Sequence, residues 1–211
     1  APGQCTLTIN VVSSIPNTYL NLIPAGAITS SQGTNSQNVQ ATLVVSAPAN
    51  VTGSKAFVPA IVHGNQTGQV SVSRLTITLT NPNAIPLTGA SITDAMPAQI
   101  TIATPANATT TCGAGTATAS APATNPATLA LTGGTIPANG SCTIAVDVVA
   151  RNPLIYQDVN PATNTVAANT LTTTEGARNP AFSANIRVQT GASITKSFSP
   201  NPIPPGGTTI S

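Results

Sequence analysis

Only two lysines occur in 211 residues, Lys55 and Lys196, and they occupy matching contexts. Each stands two positions before a phenylalanine, Phe57 and Phe198, in a Lys-x-Phe-x-Pro run that recurs 141 positions along the chain. In a strand, residues two apart share a face, so each amine points the way its ring points. If that is the core face, an unpaired ammonium there is very costly. Asp94 shares a face with Ile92 by the same parity. Asn164 and its counterpart Asn21 are the asparagines kept at both module ends. A lysine, an asparagine and a nearby acid are what an autocatalytic isopeptide bond requires. An apolar pocket keeps the amine neutral and nucleophilic, while the acid polarises the carboxamide. The expected set is Lys55 bonded to Asn164 with the help of Asp94. A plain Lys55–Asp94 ion pair, or a lysine whose head reaches water, are the alternatives.

The cysteines point to a second fastening. Cys112 and Cys142 lie in one module with Gly-rich turns between them and are expected to form a disulfide. On the loop-entropy model a bridge of that span stabilises by about 3–4 kcal/mol. Cys5 repeats the context of Cys142, so its partner should be a cysteine upstream or on a neighbouring subunit. Disulfides imply an oxidising compartment.

Other chemistry is thinly supported. His63 is the only histidine and lies in a Gly/Asn/Gln-rich stretch expected to be solvated loop. The acids are scattered, so no metal or cofactor site is expected, and no Gly-rich phosphate loop precedes a helix. Asp147 and Asp158 read as solvent-face or turn residues. The Thr runs 109–111 and 172–174 are explained first by β-propensity. Asn50, Asn65, Asn107 and Asn139 begin Asn-x-Ser/Thr sequons, a weak indication that glycans decorate the surface.

Strands must position these groups. Nineteen prolines and sixteen glycines leave no long window for a helix. Apolar residues alternate with period two at 74–80, 142–149 and 182–188, with shorter candidates at 5–12, 39–46, 55–58, 90–95, 99–103, 115–120, 127–132, 165–172 and 193–198. Turns are expected at Asn81-Pro82-Asn83, Gly133-Gly134, Pro137–Gly140 and Gly206-Gly207. This pattern predicts an all-β fold of Ig-like β-sandwich modules in tandem.

The chain repeats itself. Residues 1–12 reappear at 138–149, 137 positions on, and 53–59 reappear at 194–200. Tyr19 matches Tyr156, and 21–33 matches 164–176 after a small insertion near 157–163. Residues 1–50 therefore read as the C-terminal strands of a preceding module, 54–190 as a complete module, and 192–211 as the first strands of a next one. Tandem arrays of this kind are built for length and assembly more often than for chemistry.

Ser73–Asn83, with Thr-Asn-Pro-Asn at its end, and Leu87–Pro97, with Thr-Asp-x-x-Pro at its end, resemble the Ig-like conserved repeat of bacterial surface proteins, the domain of unknown function numbered eleven and its relatives. Lys-x-Phe-x-Pro opens such repeats, and the Cys112 and Cys142 segments match their style. The resemblance implies spacer or stalk modules in long secreted proteins rather than an activity.

Composition agrees with that expectation. Only 5 % of residues are charged, against about a quarter in an average soluble protein. There is no Lys/Arg cluster, which sets nucleic acid aside. No apolar run is long enough to span a bilayer. The sequence thus predicts a non-enzymatic structural module at the bacterial cell surface or outside the cell, its partners identical modules or subunits joined head to tail, some by strand complementation. The alternative is an adhesin or glycan-binding module, which would need an exposed cluster of aromatic or charged loop residues.

Overall fold

β-branched and Thr-rich segments broken by Pro and Gly can satisfy their backbone only by pairing with one another. The computed structural model accordingly contains fifteen strands and no helix among the described residues. It describes residues 4–13, 15–64, 71–151 and 161–190, with 196, 197, 199, 202 and 205–207. Tyr156, Asp158, Phe198 and nearly all of the expected strand at 193–198 lie outside the described residues.

A hairpin comes first, β1 (Asn17–Ile23) and β4 (Val39–Val45), with the short β2 (Thr29–Ser30) and β3 (Gly33–Thr34) between them. A two-layer β-sandwich follows. Its first sheet has the order β10 (Thr109–Thr110), β13 (Ser141–Ala150), β7 (Val72–Thr80), β5 (Thr52–Val58), with β9 (Ile100–Ile102) beside β13. The second layer holds β11 (Thr116–Ala119), β12 (Thr128–Ile136) and β8 (Leu87–Ala95), then β14 (Ala162–Val166), β15 (Phe182–Thr190) and β6 (Ile61–Gly64). A bridge between Ser91 and Thr172 joins the two parts of that layer.

The core comes from the alternation. Leu75, Ile77 and Leu79 of β7 and Ile144, Val146 and Val148 of β13 are buried and meet Ile92, Leu129 and Leu131 from the other layer. Burying a side chain of this size stabilises by about 1.5–3 kcal/mol. Gly53 has no side chain because the Phe182 ring occupies that space, which lets β15 close on β5.

Several expectations change. Residues 5–12 alternate as a strand should, yet form none and are exposed. Their counterpart β13 is paired along its length with β7, and near 5–12 no described strand plays that part. Gly133-Gly134 does not end a strand. It forms a bulge inside β12, where the register shifts and Gly133 takes φ 67°. His63 is not in a loop; it is exposed on β6, which runs parallel to β15 opposite Gln189. The strand expected at 165–172 lies earlier, at β14.

The first hairpin duplicates a later one. Asn21 faces Ala41 and Tyr19 faces Leu43 in β1·β4. Asn164 faces Ala184 and Ala162 faces Ile186 in β14·β15, the same ladder shifted by 143 positions. The structural counterpart of Tyr19 is therefore Ala162 rather than Tyr156, so the insertion falls before this ladder.

Candidate functional site

The edge strand β5 has one face on the core and one in solvent. Its core face carries Phe57, 5 % exposed, and the Lys55 side chain, which is wholly buried. Asp94 occupies the equivalent inward position of β8 beyond Ile92 and is 1 % exposed. Asn164 is the central residue of β14, inward between Ala162 and Val166, and is also 1 % exposed. Three strands thus aim three polar side chains into one apolar interior.

They meet there. Lys55 Nζ donates to Asp94 Oδ1 at 2.7 Å, and Asn164 Nδ2 donates to Asp94 Oδ2 at 3.0 Å. The carboxyl group bridges the amine and the carboxamide. Asn164 Nδ2 also lies 3.5 Å from Met96 Sδ, a weak acceptor. Asn164 Oδ1 is buried and accepts no hydrogen bond. An orphan acceptor of that kind costs about 1–3 kcal/mol.

Burial biases both ionisable groups toward their neutral forms. Desolvation pulls Lys55 below the ordinary lysine value, with the neighbouring Asp94 opposing it. Desolvation pushes Asp94 above the ordinary carboxylate value, against the Lys55 charge and the hydrogen bonds from Lys55 and Asn164. An uncharged amine beside a protonated carboxyl is a nucleophile beside an acid.

Cys112 and Cys142 are bonded to each other, with Cα atoms 4.9 Å apart. The bridge ties β13 to the turn after β10 and lies inside the core. Cys5 is an exposed free thiol among the described residues. Asp147 faces solvent as expected, in an ion pair with Arg74 at 2.9 Å. Against the upward push of its partial burial, hydrogen bonds from Asn107 and Arg74 and the Arg74 charge hold its carboxyl below the ordinary value. Lys196 is exposed. No group of three or more His, Cys, Asp or Glu suited to a metal occurs among the described residues.

Sequence reasoning missed a set of asparagine clamps, two of them (Asn81 and Asn179) buried. Asn81 Nδ2 donates to the carbonyls of Ile85 and Pro137 at 2.8 and 3.1 Å. Asn83 clamps the segment entering the sandwich, accepting from Ala49 N at 2.8 Å and donating to Ala49 O at 3.0 Å. Asn179 accepts from Leu171 N at 2.7 Å and donates to Ala167 O and Pro180 O at 2.9 Å each. Asn81 and Asn179 each precede a proline, and that dipeptide was the available signal.

Several solved structures are similar to this chain over part of its length. A cohesin module from the Clostridium perfringens ATCC13124 family 33 glycoside hydrolase is 9 % identical, with TM-score 0.45, 66 % of this chain and 98 % of that one covered. The collagen-binding domain of the Erysipelothrix rhusiopathiae surface protein RspB is 10 % identical, with TM-score 0.35 and 82 % and 60 % covered. Chitinase ChiA74 from Bacillus thuringiensis is 18 % identical, with TM-score 0.28; 65 % of this chain aligns to 18 % of the enzyme, so this chain spans less than a fifth of its length. At these scores no function passes from those proteins to this chain. Among curated proteins no match was found. The model of a family described as a domain of unknown function, DUF7933, matches residues 1–45 and 52–188, and the chain belongs to that family.

Proposed function

We propose that this chain is a structural repeat unit of an extracellular bacterial filament, stalk or large surface protein, with modules joined head to tail. The observation that carries this reading is the duplicated hairpin. β1·β4 and β14·β15 have one register, yet the second is sealed in a sandwich and the first is bare. A hairpin of this kind is stable only when another layer covers it. The covering layer for residues 1–50 is the N-terminal half of a like module, supplied by the same polypeptide or by a neighbouring subunit. Residues 54–190 then form the complete module, and 192–211 open the next.

The low charge supports close packing of like surfaces. The disulfide supports an oxidising, extracellular setting. The Lys-x-Phe-x-Pro and Thr-Asn-Pro-Asn motifs support kinship with the numbered-eleven type of surface repeat. The role is mechanical rather than enzymatic, and its partners are copies of the same module.

Electron microscopy of the native secreted material tests this. The expected image is a filament or stalk with an axial repeat of one module. Dispersed particles without a repeat would overturn the reading and favour an adhesin or glycan-binding module.

A further inference from the structure

We propose that Lys55 and Asn164 become joined by an isopeptide bond, formed without any other enzyme, with Asp94 as the catalytic acid. The inference rests on the geometry of one sandwich and does not depend on how modules assemble.

Three observations converge on it. The Lys55 side chain is wholly buried on an edge strand, where the other face of β5 would have offered it water. A lysine kept solely for stability has little reason to be inside, because a buried ion pair is often no better than an apolar pair of the same volume. The Asp94 carboxyl touches both prospective reactants at once, at 2.7 and 3.0 Å. Finally, Asn164 Oδ1 is buried without a donor. A half-turn of the carboxamide brings that oxygen to the position 3.0 Å from Asp94 Oδ2. A protonated Asp94 would then donate to it and polarise the carbonyl carbon. In that orientation the orphan acceptor would gain a donor once Asp94 carries the proton.

The steps balance. A proton passes from the Lys55 ammonium to the Asp94 carboxylate, leaving a neutral amine. Nζ attacks Asn164 Cγ as Asp94 donates its proton to Oδ1. Asp94 takes a proton from the attached nitrogen and passes it to Nδ2, which leaves as ammonia; as the carbonyl re-forms, its hydroxyl proton returns to Asp94. The bond formed is Nζ–Cγ and the bond broken is Cγ–Nδ2. Ammonium, carboxamide and carboxylate become amide, free ammonia and carboxylic acid, with no oxidant or reductant. Desolvation, which shifts both groups toward their neutral forms, favours the first step.

The bond would tie the first strand of the sandwich, β5, to β14 near its end. Tension applied at the ends of the chain would then bypass residues 56–163, the stretch that also contains Cys112–Cys142.

Mass spectrometry of the full chain tests the proposal. The expected intact mass is that of the sequence less two hydrogens for Cys112–Cys142 and less one ammonia. Trypsin should fail to cut after Lys55 and should release a branched peptide joining residues 1–74 to 152–178. A mass without ammonia loss would overturn it, as would ammonia loss confined to another site such as Asn139-Gly140. Asp94→Asn should retain the ammonia and restore cleavage after Lys55; if that variant still cross-links, Asp94 is not the acid. Asn164→Leu, which keeps the Lys55–Asp94 contact, should also restore cleavage, and serves where Asp94→Asn does not fold.

Discussion

The hairpins β1·β4 and β14·β15 share one ladder and differ in almost everything else. In β14·β15, Ala162, Asn164, Val166, Ile186 and Val188 are buried. In β1·β4, Ile23, Val39 and Leu43 are 37 %, 56 % and 42 % exposed, and Asn21 stands in solvent. Ile9, Val11, Tyr19, Asn21, Ala41 and Leu43 line an open groove, and on the matching rungs of β14·β15 Ala162, Asn164 and Ile186 face the core. The local sequence therefore specifies the hairpin and its register. Whether its inner face is sealed depends on strands far away in the chain, β5 and β8 above all. Asn164 shows the consequence for chemistry, since the same residue type on the same rung is a candidate reactant in one hairpin and a solvated amide in the other.

Substitutions at matching rungs can break or sharpen this contrast. The largest expected effect is at Lys55. Lys55→Met removes the partner of a buried carboxyl and should cost about 3–5 kcal/mol, beyond the loss of any cross-link. Asn21→Leu should stay within about 0.5 kcal/mol. Chemical denaturation of both variants measures the difference, and equal effects would remove the distinction between the two hairpins. Next is the disulfide. Replacing both Cys112 and Cys142 with serine should cost about 3–4 kcal/mol, whereas Cys5→Ser should leave the melting temperature of the isolated chain unchanged. Ile186→Ala should then cost about 2–5 kcal/mol through the cavity it leaves. Leu43→Ala, on the same rung of the bare hairpin, should cost less than about 0.5 kcal/mol.

The smallest effect is in pH dependence, where the signs are opposed. Lys55 has a folded value below 10.5, so the folded module holds that proton less firmly than the unfolded chain does. Stability should rise with pH from the depressed value up to 10.5 and level off above it. Asp94 has a folded value above 3.8, so its contribution falls as pH rises from 3.8 through the raised value. The alkaline gain should appear in Asn164→Leu, which keeps the amine, and should be absent from a cross-linked chain, whose amide does not titrate. Melting curves across the alkaline range distinguish the two.

Much of this was legible in the sequence, for identifiable reasons. Period two placed Leu75, Ile77 and Leu79 on the core face because strand geometry leaves no other option. The same parity placed Lys55 beside Phe57 and Asp94 beside Ile92, and the internal repeat singled out Asn164. What was not legible depended on partners. Residues 5–12 carry the pattern of β13 with no strand among the described residues to pair with, and alternation alone does not make a strand. β6 owes its existence to a parallel neighbour more than 120 residues away in sequence, so nothing local announced it. The asparagine clamps at 81, 83 and 179 depend on which carbonyls the fold brings near, which no local pattern encodes.

The central claim is that residues 1–50 are half of a module awaiting its other half, and the chain supplies the means to test it. A second copy of residues 52–137 placed before Ala1 would give the first hairpin the strands that cover β14·β15. Amide hydrogen exchange in β1 and β4 should then slow to the level of β14 and β15. If those amides exchange as fast with the added half as without it, the hairpin is not the remnant of a like module, and the repeat-unit account fails.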